Sequence, residues 1–325
     1  MSSAGVWLLA GGVLSLLAMQ GGTKKKAEAP KPEPSAFTRS ADGNRWTVRN
    51  GLTIALQPDA LRPDGSPRGL IRIGLPLRPG REPHLLNFVA VEPVTMDGRR
   101  GLSELEKSPT ERKAGLAMWF DKPIETKDFL RLTIRMDRFE NGAHPYVVAE
   151  LDKRRPLEVR FEVYAEPDSA PMKMCILTST MGNYQRLRRL HLKDRVVSTS
   201  EVLPEPLDHA FSRHAVFPLS EMKRDKLGAY VDATGDEADP RVLSESIAFM
   251  DWWAYTGLPF TQYWRQPNPV DKDLRVVVNA REKYYGQNVL IPGGKSYENF
   301  ELNADFYPGQ VFIYGVRMPG GPETP

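Results

Sequence analysis

Leu130, Leu132, Ile134 and Met136 alternate with polar or charged neighbours, and Leu157, Val159, Phe161 and Val163 repeat the pattern. A period of two marks a strand with one packed and one wetted face; a helix would space its apolar residues by three and four. Short apolar runs broken by Gly, Pro, Asn and Asp continue along the chain. "RWTVRNGLTIALQP", "GLIRIGLPL", "LLNFVAVEPV" and "YVVAELD" read as strands in the first half, and "KMCILTSTMGNY", "RLRRLHLKDRVV", "KLGAYVDATG", "DLRVVVNAREKYYG" and "GQVFIYGV" in the second. Helix signals are few, the best being an acidic cap and a first-turn proline at Asp239-Pro240, which would start a short helix reaching Ser246. No fixed-period repeat is present, which argues against a propeller or solenoid. The expected fold is all-β, a large antiparallel β-sandwich with few short helices.

The ends of the chain differ from this body. Residues 1–22 carry an apolar run of signal-peptide length, followed by Lys24, Lys25 and Lys26, and are expected to be a signal peptide or an N-terminal anchor. Residues 23–40 are rich in Lys, Ala, Glu and Pro, too poor in apolar side chains to fold, and read as a disordered linker. Residues 41–325 then form a single β-sandwich domain, expected in the periplasm or outside the cell, with a possible membrane tether through the first segment. The lone Cys175 excludes an internal disulfide and reads as a small buried hydrophobe.

With 44 basic and 41 acidic residues spread along the length, the net charge of +3 leaves no basic footprint for nucleic acid. No phosphate-cradling glycine loop, Gly-x-Ser-x-Gly elbow or His-Glu-x-x-His pair occurs. His209 and His214, with Glu205 and Asp208, are the densest patch of metal-ligand types. Their five-residue spacing on an extended chain turns the two rings to opposite faces, so no metal and no cofactor is expected. Glu92 interrupts the apolar run "FVAVEPV" and Asp251 adjoins Trp252. With His214 they are the candidates for acid/base work, each read equally as a carboxylate or imidazole bonded to a neighbouring loop. If "YQRLRRLHL" is a strand, Arg186 and Arg188 share a face beside Asn183 and Tyr184, suited to carboxylate or hydroxyl recognition; the alternative is an ordinary solvated face.

"FMDWWAYTGLPFTQYW", Phe249 to Trp264, holds three of the six tryptophans. Neither period fits it, and Gly257 and Pro259 break it, so a loop, or a loop between two short strands, is expected. Trp252, Trp253, Tyr255, Tyr263 and Trp264 on such a loop suit the stacking of sugar rings, and suit core anchoring equally well.

The opening "NGLTIALQPD", the central "LEVRFEVYAEPDSAPMKMCILTSTMGNYQRL" and the closing "NVLIPGGKSYENFELNADFYPGQVFIYG" together resemble the galactose-mutarotase-like supersandwich, shared by aldose epimerases and by domains of many glycoside hydrolases and polysaccharide lyases. The resemblance implies a carbohydrate-associated β-sandwich over most of the chain. It does not extend to the epimerase His-Pro-Tyr-Phe motif: Thr180 to Tyr184 lack a histidine, and His144-Pro145-Tyr146 precedes the central strand. The expected function is an exported protein binding carbohydrate or a polysaccharide fragment. Alternatives are a lyase, hydrolase or epimerase-like enzyme, and a structural envelope protein.

Overall fold

In a computed structural model of the chain, which describes residues 35–57, 68–77, 83–180, 182–204, 214–235, 260–284 and 289–318, twenty strands form two antiparallel sheets. In chain order these are β1 (Phe37–Arg39), β2 (Arg45–Val48), β3 (Thr53–Ala55), β4 (Leu70–Leu75), β5 (His84–Thr95), β6 (Met118–Phe120), β7 (Ile124–Glu125), β8 (Phe129–Met136), β9 (Pro145–Asp152) and β10 (Glu158–Ala165). There follow β11 (Met172–Thr180), β12 (Leu187–His191), β13 (Val196–Ser198), β14 (Ala215–Pro218), β15 (Lys223–Asp225), β16 (Gly228–Gly235), β17 (Thr261–Pro267), β18 (Arg275–Arg281), β19 (Ser296–Asn303) and β20 (Gln310–Arg317). One sheet has the order β1-β2-β3-β4-β5-β11-β19-β18-β14, the other β13-β12-β16-β17-β20-β10-β9-β8-β6, with β15 on β16 and β7 on β8. The described residues fall in the unit that starts at Ser35. The protein is a large all-β antiparallel sandwich; among the described residues its one α-helix, α1 (Thr199–Val202), is a single turn closed by a capping box between Ser198 and Glu201. No helix among them is long and apolar enough to cross a membrane.

The second sheet carries the alternation legible in the sequence. Leu130, Leu132, Ile134 and Met136 on β8, Val147, Ala149 and Leu151 on β9, and Val159, Phe161 and Val163 on β10 are shut into the core. Between them Arg131, Glu150, Arg160 and Glu162 remain partly open on the wet face, where Arg131 reaches across to Glu150 and Glu162 and Arg160 pairs with Glu162 along β10. The first sheet does not follow this rule. All twelve residues of β5 and all eight of β19 are buried, so this sheet is covered on both faces rather than half-wetted as expected.

Part of that second cover is visible. Leu70, Leu85, Phe88 and Ala90 pack outward against Tyr184, Tyr284 and Ile291, making a small satellite core. The segment after β5 also turns back along it: Gly101 N–H donates to Pro93 O at 2.9 Å and Ser103 N–H to Val91 O at 3.3 Å. Gly69, at φ +74°, allows this return, because a Cβ there would stand 1.9 Å from Ser103 O. The first sheet also begins earlier than expected. Phe37, inside the stretch read as linker, is buried and pairs with Val48, so the end of residues 23–40 is strand; the apolar ring had a place in the core that composition alone did not show. The helix expected from Asp239 lies outside the described residues.

Candidate functional site

The outward face of the first sheet follows from strand parity. Val89 and Val91 on β5 point into the core, so Phe88, Ala90 and Glu92 take the other face. On β11 Leu177 is inward and Ile176 and Thr178 outward. Phe300 and Leu302 on β19 are inward, leaving Asn299, Glu301 and Asn303 outward, and on β18 Val276 and Val278 leave Val277 and Asn279. Glu301 stands opposite Thr178 on one side and Val277 on the other. Glu92, Thr178, Asn279, Asn299, Glu301 and Asn303 are each less than a tenth exposed, so a row of carboxylates, amides and a hydroxyl lies enclosed on the back of the sandwich.

Arg100 reaches into this row. A bridge between Val94 and Arg100 fixes its backbone. Its Nε donates to Glu92 Oε2 at 2.6 Å, its Nη2 also meets Glu92 Oε2, and Nη2 lies 3.6 Å from Glu301 Oε1. β5 and β19 are two strand spacings apart, about 10 Å, so one guanidinium spans the gap between two carboxylates that cannot touch. A second cation, Arg281, holds its Nε 3.5 Å from Glu298 Oε1.

These contacts do not satisfy the face. Among the described residues, both oxygens of Glu298, Oε2 of Glu301, Oε2 of Glu104, and Oδ1 of Asn299 and of Asn303 are enclosed without a hydrogen-bond donor. Burial pushes the Glu92 carboxyl well above its ordinary range, with Glu104 and Glu301 adding to the rise and Arg100 opposing it. Burial likewise raises Glu104 and Glu298, each to about 7, the latter against the pull of Arg281. At the β14 end the row reaches solvent. His214 is exposed, its Nε2 lies 3.4 Å from Asn279 Nδ2, and its ring sits close enough to the sheet that burial lowers its pKa. Arg100 keeps 31% of its side chain open on the opposite rim.

A pH dependence follows. Folded Glu104 and Glu298 hold protons up to a pH of about 7, whereas in the unfolded chain they release them near 4.5. The folded state then binds more protons between those values, so stability should fall as pH rises from about 4.5 to 7 and level off above it. Thermal melts across this window should show the decline, and Glu298→Gln should flatten it; a melting temperature that climbs through the window would contradict the assignment.

The other residues singled out in the sequence are not all brought here. Trp264 is strand, not loop: it lies on β17 facing inward, fully buried, and its Nε1 donates to Ser179 Oγ at 2.7 Å and Phe300 O at 3.0 Å. Tyr263 is also enclosed. Its ring lies so close over Gly315 that a Cβ there would stand 2.1 Å away, Arg317 lies 5.0 Å from the ring centre, and its hydroxyl donates to Glu158 at 2.7 Å. Neither ring has an open face for a ligand, because both of their surfaces are taken by packing. Arg186 and Arg188 do not share a strand face. Arg186 has a φ of 51° just after the 3-10 turn Gly182–Gln185 and Arg188 follows on β12, both buried. Arg188 gives its guanidinium to the carbonyls of Pro292, Gly294 and Lys295, which ties β12 to the turn before β19. Asp251, Trp252, Trp253 and Tyr255 lie outside the described residues, as does the Asn183 side chain. Among the described candidates, only Glu92 and His214 stand on the row.

Arg100, Glu298, Asn299, Glu301 and Asn279 were not foreseen. "YENFELN" shows polar residues alternating with Phe300 and Leu302, which reads as an ordinary wet face unless its cover is known. The wet face of the second sheet offers a contrasting surface, a depression of about 400 Å³ along Glu150, Asp152, Arg154, Arg155 and Glu158. Its charges already neutralise one another, Arg154 on Asp152 and Arg155 on Glu158, so nothing there asks for a ligand. Among the described residues no three His, Cys, Asp or Glu side chains are gathered to hold a metal ion.

No protein-family model and no curated protein matches the chain.

Proposed function

We propose that the chain is an exported carbohydrate-binding protein of the galactose-mutarotase-like sandwich type, with the saccharide on the outward face of β5, β11, β19 and β18. The observation that supports this is the set of enclosed acceptors without donors on Glu298, Asn299, Glu301 and Asn303. An unsatisfied buried acceptor costs about 1–3 kcal/mol, and several together are a large debt for a sheet that could have carried valine instead. Sugar hydroxyls both donate and accept, so a single ring would answer several of these atoms at once. Trp252, Trp253 and Tyr255 stay in the proposal as stacking partners, and the leader as an export signal or tether that places the domain in the periplasm or outside the cell.

The test is a thermal-shift and tryptophan-fluorescence screen against mono- and oligosaccharides. A binding sugar at a hundred times its dissociation constant should stabilise the fold by about 2.7 kcal/mol, and Asn299→Leu should weaken that sugar about tenfold, the cost of one good hydrogen bond. No shift with any sugar at millimolar concentration would end the proposal. A second reading, a lyase, hydrolase or epimerase-like enzyme, is favoured by the Glu104 and Glu298 carboxyls, whose pKa of about 7 suits proton exchange near neutrality. Turnover of a binding sugar, lost in Glu298→Gln, would decide for it.

A further inference from the structure

The proposed face carries more carboxyl groups than guanidinium groups. Four carboxylates, Glu92, Glu104, Glu298 and Glu301, act on one another across it, against the guanidinium groups of Arg100 and Arg281. Arg100 is committed chiefly to Glu92 and only approaches Glu301, whose Oε2 is left without a donor. Arg281 stands at ion-pair distance from Glu298, yet both oxygens of that carboxylate lack a hydrogen bond.

A second observation is independent of the charge. Asn299 and Asn303, neutral and at least nine-tenths buried, present Oδ1 atoms without a donor on the same face of β19 as Glu301. Asn303 gives its Nδ2 to Glu301 Oε1 at 3.4 Å and keeps its Oδ1 open, whereas the Asn279 Oδ1 accepts from Asn299 N–H at 2.8 Å. Of the open valences along this strand, those of Glu298, Asn299, Glu301 and Asn303 are carboxylate and amide oxygens, and the other is the Ser296 hydroxyl. The complement of such a set is a group that donates several hydrogen bonds, accepts none, and carries positive charge. An ammonium group has three donors and no acceptor.

We infer that this face takes a saccharide carrying a protonated amine, a deacetylated amino sugar, with the ammonium between Glu301 and Glu298 and flanked by Asn299 and Asn303. The inference rests on the saccharide reading above and narrows it to one class of sugar. Charge-assisted hydrogen bonds are about twice as strong as neutral ones, so the amine should be preferred to its acetylated counterpart. A uronic acid would bring a further anion into an enclosed site already crowded with carboxylates, and should be rejected. The carboxyls held protonated near neutrality fit the same account, because a bound cation would return them to the charged form.

The test uses isothermal titration of the purified domain with four probes: glucosamine oligomers, the same oligomers N-acetylated, oligouronates, and spermidine as a cation without a sugar. The expected result is an affinity for the glucosamine oligomers about tenfold or more above the acetylated ones, with no binding of oligouronates. Glu301→Gln should shrink that preference to about threefold or less. Should Glu301→Gln fail to fold, Asn303→Leu, which keeps every charge, should weaken the glucosamine oligomers about tenfold. Equal affinity for amine and acetylated forms, or preference for the uronates, would overturn the inference and leave the saccharide reading standing. Binding of spermidine as tight as that of the glucosamine oligomers, or no binding of any probe, would overturn the inference, and the saccharide reading falls with it only if the wider sugar panel also gives no shift.

Discussion

Arg100→Met should destabilise the protein by about 3–5 kcal/mol, the cost of leaving a buried carboxylate without its cation. Glu92 is 2% exposed and receives two nitrogens of this guanidinium, and Glu301 is fully enclosed a strand pair away. Met fills much of the same volume, so the loss would be electrostatic rather than a cavity. The sign with pH identifies the cause. Burial already holds the Glu92 carboxyl above its ordinary range, and without Arg100 it rises further, so the folded state binds a proton that the unfolded chain releases. The penalty should be small below the ordinary carboxylate range and grow as pH rises. Adding Glu92→Gln should recover part of the loss, giving a double-mutant cycle that is far from additive. Chemical denaturation at pH 5 and pH 8 reads all of this. A cost under about 1 kcal/mol at both values, the size of a surface pair, would mean that the face is open to water and that the acceptors on it are hydrated.

Trp264→Ala should cost a comparable amount, about 3–5 kcal/mol, for a different reason. The indole sits between the two sheets, 5.3 Å from the Tyr314 ring and 6.1 Å from Phe161, and its Nε1 bonds to β11 and β19 of the facing sheet. Truncation leaves a cavity and removes the donor to Ser179 and Phe300. Trp264→Phe, which keeps most of the volume but not the donor, should cost about 1–3 kcal/mol. Urea unfolding measures both. In the folded Trp264→Phe protein, sugar affinity should match that of the parent; a selective loss of binding would show that the ring does face a ligand after all.

The two sheets were not equally legible. On β8 and β10 the inward positions are apolar and, Phe129 apart, the outward ones polar, because one side meets the core and the other water, so period and burial coincide. On β17 they do not. Gln262, Trp264 and Gln266 share the inward face, and the glutamines are tolerated there because Asn87 and Tyr314 bond Gln262 while Asp271 bonds Gln266. Nothing in "TQYWRQ" announces those partners, so the stretch read as an aromatic loop. Glu92 was noticed because a carboxylate in an apolar run is costly, but Arg100 and Glu301, which explain it, come from a turn and from a strand far along the chain. Arg188 looked like a ligand-binding cation because its three carbonyl partners lie in the turn at Pro292 to Lys295, about a hundred positions away.

The sequence by itself determined the period of two, hence strands, hence an all-β sandwich, and it marked the change of composition at the N-terminal end. These properties belong to each residue and its immediate neighbours. Only the tertiary structure decided that the back of the first sheet is covered, that its carboxylates and amides are enclosed with acceptors to spare, and that Trp264 is core. The hydrophobicity of a strand says that one face is packed. Whether the other face meets water depends on what lies against it, and that is set by pairings between residues distant in the chain.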